Sequence, residues 1–223
     1  IQRFMQFNTA HKNHHKTVFK SFDCSIMELA DDIAYGIHDL EDAIVMGIVN
    51  QSQFNQEIVD PLLTLDIDWM NQNIVALSEK LFSQHHHERK DAIGALVNCF
   101  ITNIQITQIT PEFEQDLLKY NAVFNAPFDQ ALSIFKAYVF HRVIRKPEIQ
   151  MIEYKGQQIV MELFQAFASD PQRLLPENTC QRWIEANNAG NGHRVIADYL
   201  SGMTDGFASK LYSSLFMPSS TIT

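Results

Sequence analysis

Apolar residues recur every three or four positions from Ser25 to Asn50, and this spacing predicts one long helix with a single buried stripe. Ser25 stands at the start of the pattern and Glu28 follows three residues later, so we expect these two side chains to form a capping box. Small residues flank the stripe, which predicts close packing on more than one side. The stripe consists of Ile26, Leu29, Ile33, Ile37, Leu40, Ile44 and Ile48.

A second row of side chains lies on the opposite side of this predicted helix, because successive helical residues are about 100° apart. A charged face opposite an aliphatic stripe is most often the solvated side of a surface helix. Alternatively, the same row lines a polar cavity, and the periodicity leaves both interpretations open. The row consists of Asp31, Tyr35, His38, Asp39 and Asp42.

Similar apolar spacing predicts helices along most of the remaining chain. A further helix is predicted to start at Thr110, because Pro111 follows this residue and two acidic residues lie in the expected first turn. We expect this helix to end near Tyr120. The segment from Ala189 to Gly192 predicts a flexible break before the last helix. The other predicted helices run from about Met70 to Phe82, Glu88 to Ile104, Phe128 to Ile144, Pro147 to Ala168, Glu177 to Asn187 and His193 to Phe216.

The fold class that these patterns predict is all-α, as one compact multi-helix unit. No segment shows sustained alternation of apolar and polar residues, and no repeat period runs along the chain. The phosphate-binding glycine motifs and the GxSxG nucleophile motif are also missing from the sequence. The aromatic residues of the helix from Phe128 to Ile144, namely Phe135, Tyr138 and Phe140, are expected in the core.

Composition narrows the class of protein only slightly. The 223 residues carry a formal net charge of −9, which argues against nucleic acid as the main partner. Three widely spaced cysteines without a CxxC motif predict reduced thiols in a cytoplasmic protein. No apolar run approaches the roughly 20 residues that a membrane-spanning helix needs, so we expect no membrane partner.

Two histidine-rich stretches are candidate metal sites. His11, His14 and His15 lie among lysines that repel a cation, so a basic loop facing phosphate is the better interpretation. The consecutive residues His85 to His87 cannot share one face of a helix, which makes a three-histidine site improbable there. Neither stretch by itself predicts a metal centre.

Two blocks of the sequence resemble deoxyguanosine-triphosphate triphosphohydrolases and their dNTPase-like relatives, which are enzymes of the HD superfamily. The first block is LADDIAYGIHDLEDAI, from Leu29 to Ile44, and it is similar to the family helix that carries the last metal ligand. The second is HRVIADYLSGMTDGFASKLYSSLF, from His193 to Phe216, which resembles the closing helix of the family. The segment between the two blocks, including the run from Arg142 to Phe164, is similar to the helical region that follows the HD core in these enzymes. The resemblance covers nearly the whole chain, but only the C-terminal half of the family.

The resemblance implies an enzyme that binds Mg²⁺ or Mn²⁺ and cleaves a dNTP to a deoxynucleoside and inorganic tripolyphosphate. Asp31 aligns with the last metal ligand of the HD signature and, unlike Asp32, has a tyrosine four residues later. An ionised carboxylate is a suitable hard ligand for either cation. The implied substrate-binding residues are Tyr35, Asp39 and, at the entry turn of a later helix, Arg89.

The sequence also departs from the family pattern. The HD signature comprises a His, an adjacent His-Asp pair and a distant Asp, but no His-Asp pair precedes Asp31. The pair His38-Asp39 follows Asp31, in the wrong motif order, and we interpret it as coincidence. One carboxylate cannot hold a catalytic metal alone, so we expect the chain as it stands to be inactive. Because its first residue is Ile1, we expect the sequence to begin inside a longer polypeptide.

The resemblance predicts three regions and a set of partners. Residues 1–24 are a lead-in, residues 25–107 are the C-terminal part of the HD catalytic core, and residues 108–223 are the associated helical region. The implied substrate is a dNTP, with dGTP favoured, and the family also implies a homo-oligomer and allows for a nucleotide effector.

Two alternatives to this enzyme stay open. The first is a non-catalytic helical module that oligomerises or regulates, and the incomplete ligand set favours it. The second is an HD phosphohydrolase that acts on other nucleotides. For Arg89 and its neighbour Lys90, the alternative to nucleotide binding is a solvated basic turn that joins two helices.

Overall fold

The computed structural model describes residues 7–8, 16–17, 19–109 and 112–217. Helices dominate this part of the chain, so the predicted all-α class is confirmed. The chain divides into two units at Lys146 and Pro147. The predicted functional division at residues 107 and 108 is a different boundary and stays a prediction.

Unit 1 contains seven named α-helices, two π-helical segments and two short antiparallel strand pairs within its described residues. The strands are β1 (Phe7–Asn8), β2 (Lys16–Thr17), β3 (Gln105–Gln108) and β4 (Tyr120–Val123), of which β1 pairs with β2 and β3 with β4. The helices are α1 (Phe22–Val45), α2 (Gln51–Phe54), α3 (Asp60–Leu62), α4 (Asp68–Leu81), α5 (His86–Thr102), α6 (Asp116–Lys119) and α7 (Ala126–Val139). The π-helical segments are Asn55–Val59, between α2 and α3, and Phe140–Ile144, which continues α7.

Helix α1 begins and ends earlier than predicted, and the predicted capping box is wrong. Ser21 is the N-cap residue, and its hydroxyl accepts a hydrogen bond from the Cys24 amide at 3.3 Å. Ser25 lies inside the helix, where its hydroxyl accepts a hydrogen bond from the Ala122 amide of β4 at 2.9 Å. The helix ends at Val45 because Gly47 adopts a left-handed backbone with a φ of 67°, which reverses the chain.

The buried face of α1 follows the predicted stripe through its middle. Ile33, Ile37 and Leu40 are buried and contribute to the core of unit 1. At the start of the helix the prediction is wrong, because 45% of Ile26 is exposed. The helix packs against α5, α7 and β4, which confirms contacts on several sides.

An aromatic cluster forms the centre of the unit 1 core. Phe100 of α5 is fully buried, and its ring makes edge contacts with Phe124, Phe128 and Phe135 at centroid distances of 5.8, 6.1 and 6.0 Å. The expected core positions of Phe135 and Tyr138 are confirmed. The expectation for the third aromatic residue of that helix, Phe140, is wrong, because 38% of its surface is exposed where the π-helical segment begins.

The segment between α5 and α7 contains a strand pair that the sequence pattern did not predict. Instead of a helix that ends near Tyr120, the structure has the short α6 followed by β4, which pairs with β3 in the register Gln105 to Val123. The expected helix start at Thr110 and Pro111 lies outside the described residues. Contacts with distant residues hold β4 in place. In addition to the Ala122 contact, the side-chain amide of Asn121 donates a hydrogen bond to the Lys20 carbonyl at 3.2 Å.

Unit 2 is built around α8 and consists of helices alone within its described residues. The final predicted helix is two helices, because the chain breaks after Ser201 and Thr204 caps the next helix through the Phe207 amide at 3.3 Å. Its core contains Leu163, Phe167 and Ile196. The helices are α8 (Pro147–Ser169), α9 (Pro171–Leu174), α10 (Glu177–Asn188), α11 (Gly192–Ser201) and α12 (Asp205–Phe216).

Gly192 marks a close approach of α11 to α10, and we expect Gly192→Ala to destabilise unit 2. An added Cβ would lie 2.7 Å from Asn187 Oδ1 and 2.9 Å from Trp183 Nε1. Relief of this overlap should cost about 1–3 kcal/mol of unfolding free energy, measured by urea denaturation. The matched control is Gly156→Ala in α8, where a Cβ meets nothing within 4 Å and a gain of about 0.5–1 kcal/mol is expected. An unchanged stability in Gly192→Ala would contradict this account.

Candidate functional site

The predicted polar face of α1 is present and carries three of the four predicted site residues. Asp31 is exposed, whereas Tyr35 and Asp39 are half-buried along the same face. Asp32 points elsewhere, since its Oδ1 atom accepts a hydrogen bond from Lys136 Nζ of α7 at 2.6 Å. The carboxylate that the sequence favoured as a metal ligand is therefore accessible, and its neighbour is engaged in an ion pair.

The carboxylates of this face influence one another. Burial raises the pKa of Asp39, and the negative charges of Asp42 and Asp31 raise it further, while His38 opposes the shift. Burial, followed by the charge of Asp39, also raises the pKa of Tyr35. Tyr35 is therefore a protonated phenol at neutral pH and can donate a hydrogen bond to an anion. The face is acidic, and a bound cation would relieve its mutual repulsion.

Because its native pKa is raised, Asp39 should cost stability at neutral pH, and Asp39→Asn should raise the melting temperature. The folded state holds the Asp39 proton more tightly than the unfolded state, so the penalty appears as pH rises through the native pKa. The gain should shrink as the pH falls through the raised native pKa and should be absent below the ordinary aspartate value of about 3.9. Thermal denaturation at neutral and acid pH measures this, with the exposed loop residue Asp66, as Asp66→Asn, for control. A gain that does not depend on pH would contradict the electrostatic origin.

The fourth predicted site residue, Arg89, lies in the first turn of α5. It is half-buried, and its Nε atom is inaccessible to solvent and has no hydrogen-bond partner. The neighbouring Lys90 is not free, since its Nζ atom lies 3.0 Å from Glu41 Oε1 of α1. The sequence pattern did not single out Glu41, because a glutamate among the acidic residues of α1 gives no signal of burial.

The described residues do not fit a complete metal centre. Nowhere among them do three His, Cys, Asp or Glu side chains come together as potential ligands. The histidines at His85 and His87 are exposed, and their rings lie 5.7 Å apart. The other histidine-rich stretch, at His11, His14 and His15, lies outside the described residues. Asp31 is thus a potential ligand, but the described residues do not complete a three-ligand site around it.

Two cavities flank the first half of α1. A shallow recess of about 730 Å³ includes Asp31 and is mostly apolar, with Met27 and Cys24 in its wall. A cleft of about 520 Å³ lies on another side of the helix and includes Asp32, Asn121 and Phe124 among its lining residues. Of these two cavities, only the recess contains a predicted site residue.

Within the part of the chain that the structure describes, none of the helices has the length and apolar character needed to cross a membrane.

The comparisons with known proteins point to a class of protein. Residues 122–214 match the phosphohydrolase-associated domain. This match begins within β4, includes α7 to α11 and ends within α12. The chain therefore carries a domain that accompanies phosphohydrolases.

Several curated relatives have a more specific name, and each is called a deoxyguanosinetriphosphate triphosphohydrolase-like protein. The relative from Shewanella halifaxensis is 56% identical over 215 residues, which are 96% of this chain and 48% of the relative. The relative from Shewanella pealeana is 60% identical over 204 residues, or 91% of this chain and 46% of the relative. The relative from Shewanella woodyi is 56% identical over 219 residues, or 97% of this chain and 49% of the relative.

The chain spans about half the length of the curated relatives that it matches. The predicted resemblance to the C-terminal half of these proteins is confirmed, and the names of the relatives and of the domain both point to a phosphohydrolase family. The roles of Asp31, Tyr35, Asp39 and Arg89 stay predictions.

Proposed function

We propose that this chain is part of a metal-dependent dNTP triphosphohydrolase that cleaves a dNTP, preferably dGTP, to a deoxynucleoside and tripolyphosphate. The observation that carries the proposal is the α1 face, where an exposed Asp31 shares one side of the helix with half-buried Tyr35 and Asp39. The relatives that share most of this sequence are named for deoxyguanosinetriphosphate.

In this proposal Asp31 contributes one carboxylate to a Mg²⁺ or Mn²⁺ site. The described residues supply no complete ligand set, so the remaining ligands come from elsewhere in the complete protein. The chain alone is then inactive, and no hydrolytic step is assigned to its own residues.

The chain's own contribution is to bind and orient the nucleotide. Tyr35 stays protonated at neutral pH, because burial and the nearby Asp39 carboxylate raise its pKa, and its hydroxyl donates to a phosphate oxygen. Arg89 supplies a guanidinium for the triphosphate, which suits the geometry of phosphate oxygens. Asp39 accepts hydrogen bonds from the substrate or orients its neighbours on the α1 face.

A non-catalytic module that oligomerises or regulates is the second candidate. The observation in its favour is the same absence of a three-ligand cluster from the described residues. In the enzyme proposal, by contrast, homo-oligomerisation and a nucleotide effector are additional properties of an active protein.

The test uses the complete protein whose reading frame contains this chain. It is incubated with each dNTP and Mg²⁺ or Mn²⁺, with and without other nucleotides as effectors, and the products are separated by ion-exchange chromatography. Deoxynucleoside together with tripolyphosphate is the expected result. Release of pyrophosphate or single phosphates would assign an HD phosphohydrolase of another kind. No turnover under any condition would favour the non-catalytic module.

A further inference from the structure

Glu41 is a buried acidic side chain on α1. It is 6% exposed, and among the described residues it is the one buried side chain of the types Asp, Glu, Lys, Arg and His. It lies on α1, two residues after Asp39 and next to buried Leu40. A buried carboxylate destabilises the folded state unless an opposite charge is paired with it. Glu41 therefore needs a partner.

The partner comes from α5. Lys90 Nζ lies 3.0 Å from Glu41 Oε1 and 3.2 Å from Oε2, so one ammonium group contacts both carboxylate oxygens. His38 Nδ1, on the polar face, is 3.9 Å from Glu41 Oε2, which is beyond hydrogen-bond distance. The ion pair therefore joins the helix that carries the predicted site to the first turn of α5.

The residue beside Lys90 is Arg89. Its Nε atom is inaccessible to water and has no hydrogen-bond partner. An unsatisfied buried donor destabilises the folded state, so contacts of the surrounding residues must hold Arg89 in this position. Because residues 89 and 90 are consecutive in one helical turn, a contact that anchors Lys90 to α1 also restrains Arg89. The ion pair, moreover, occupies Lys90, so Arg89 is left as the nucleotide-binding cation of this turn.

We propose that Glu41 is a positioning residue that, through Lys90, anchors the first turn of α5 to α1 and so holds Arg89 in place for nucleotide binding. The functional part of this inference rests on the proposed function. The placement of Arg89 does not depend on the proposed function, and it can be measured even in a protein that hydrolyses no dNTP.

The first test measures the placement of Arg89 by its rate of modification with phenylglyoxal, read by mass spectrometry. Glu41→Gln and Lys90→Met should raise the rate at least about threefold, because the restraint on the helix turn is lost. Lys90→Arg keeps the charge pair and should retain the wild-type rate. Lys155→Met, which removes an exposed lysine of α8, is the matched control, and Arg173 of α9 is the internal reference. An unchanged Arg89 rate would overturn the inference, whether or not the complete protein hydrolyses dNTPs.

The second test uses kinetics of the complete protein with dGTP. Lys90→Met should raise KM about five- to tenfold with little change in kcat, and Lys90→Arg should restore KM. A purely structural pair would instead lower the melting temperature of Lys90→Met and leave its KM unchanged, which would overturn the functional part. If the wild-type protein shows no hydrolysis, the proposed function fails, and the phenylglyoxal rates still decide the placement of Arg89.

Discussion

Asp31→Ala is expected to abolish dNTP hydrolysis by the complete protein, with a fall in kcat/KM of at least about 10³-fold. A catalytic metal ion supplies several kcal/mol of transition-state stabilisation, and each 1.4 kcal/mol or so is a factor of ten in rate. Asp31 is an exposed carboxylate on the polar face of α1, and the described residues contain no group of three potential metal ligands that could replace it. The products are quantified by ion-exchange chromatography, and the bound Mn²⁺ is quantified in parallel.

Two features make this experiment selective. Asp31 is exposed, so its truncation should change the unfolding free energy by no more than about 0.5 kcal/mol. The neighbouring Asp32→Ala is the matched control: it removes a carboxylate paired with Lys136 on α7 and should leave most of the activity intact. Full activity of Asp31→Ala, or an equal loss in both variants, would remove the assignment of Asp31 as the metal ligand.

The second large effect concerns the core that holds α1 and α5 in place. Phe100→Ala should lower the unfolding free energy of unit 1 by about 3–5 kcal/mol, because a fully buried ring is removed and its cavity refills only partly. The ring also loses edge contacts with Phe124, Phe128 and Phe135, which adds to the loss. Urea denaturation followed by circular dichroism measures the change.

Two further substitutions calibrate this result. Phe100→Leu keeps most of the apolar volume and should cost less than Phe100→Ala. Phe140→Ala removes the same type of side chain from a position that is 38% exposed, and its cost should be much smaller. Equal losses in Phe100→Ala and Phe140→Ala would mean that burial does not determine the contribution of these rings.

Local periodicity was sufficient for the helical class and for the middle of α1. The spacing of Ile33, Ile37 and Leu40 implied one buried stripe, and all three are buried. It also placed Asp31 and Tyr35 on one polar face, because a helix converts sequence spacing directly into angular position. The bounds of α4, α5, α8 and α10 agree with the predicted helices to within about two residues for the same reason.

Contacts between distant residues decided the rest. The sequence predicted Ser25 as a capping residue, but its hydroxyl accepts a hydrogen bond from β4, 97 positions away in the chain. Ser21 is the N-cap residue instead. Residues 120–123 form a strand because the pairing with β3 and the contact with α1 outweigh a weak local preference.

The candidate site divides in the same way. Asp31, Tyr35 and Asp39 follow from the helical repeat together with the family resemblance, since both depend only on the order of residues. Glu41 could not be found by either route, because it is one of several acids on an amphipathic helix. Its burial and its ion pair exist only because Lys90, 49 positions away, packs against α1 when α5 folds onto it. Sequence spacing specifies which face of a helix a side chain occupies, whereas the neighbouring helix decides whether that face meets water, a core or an opposite charge.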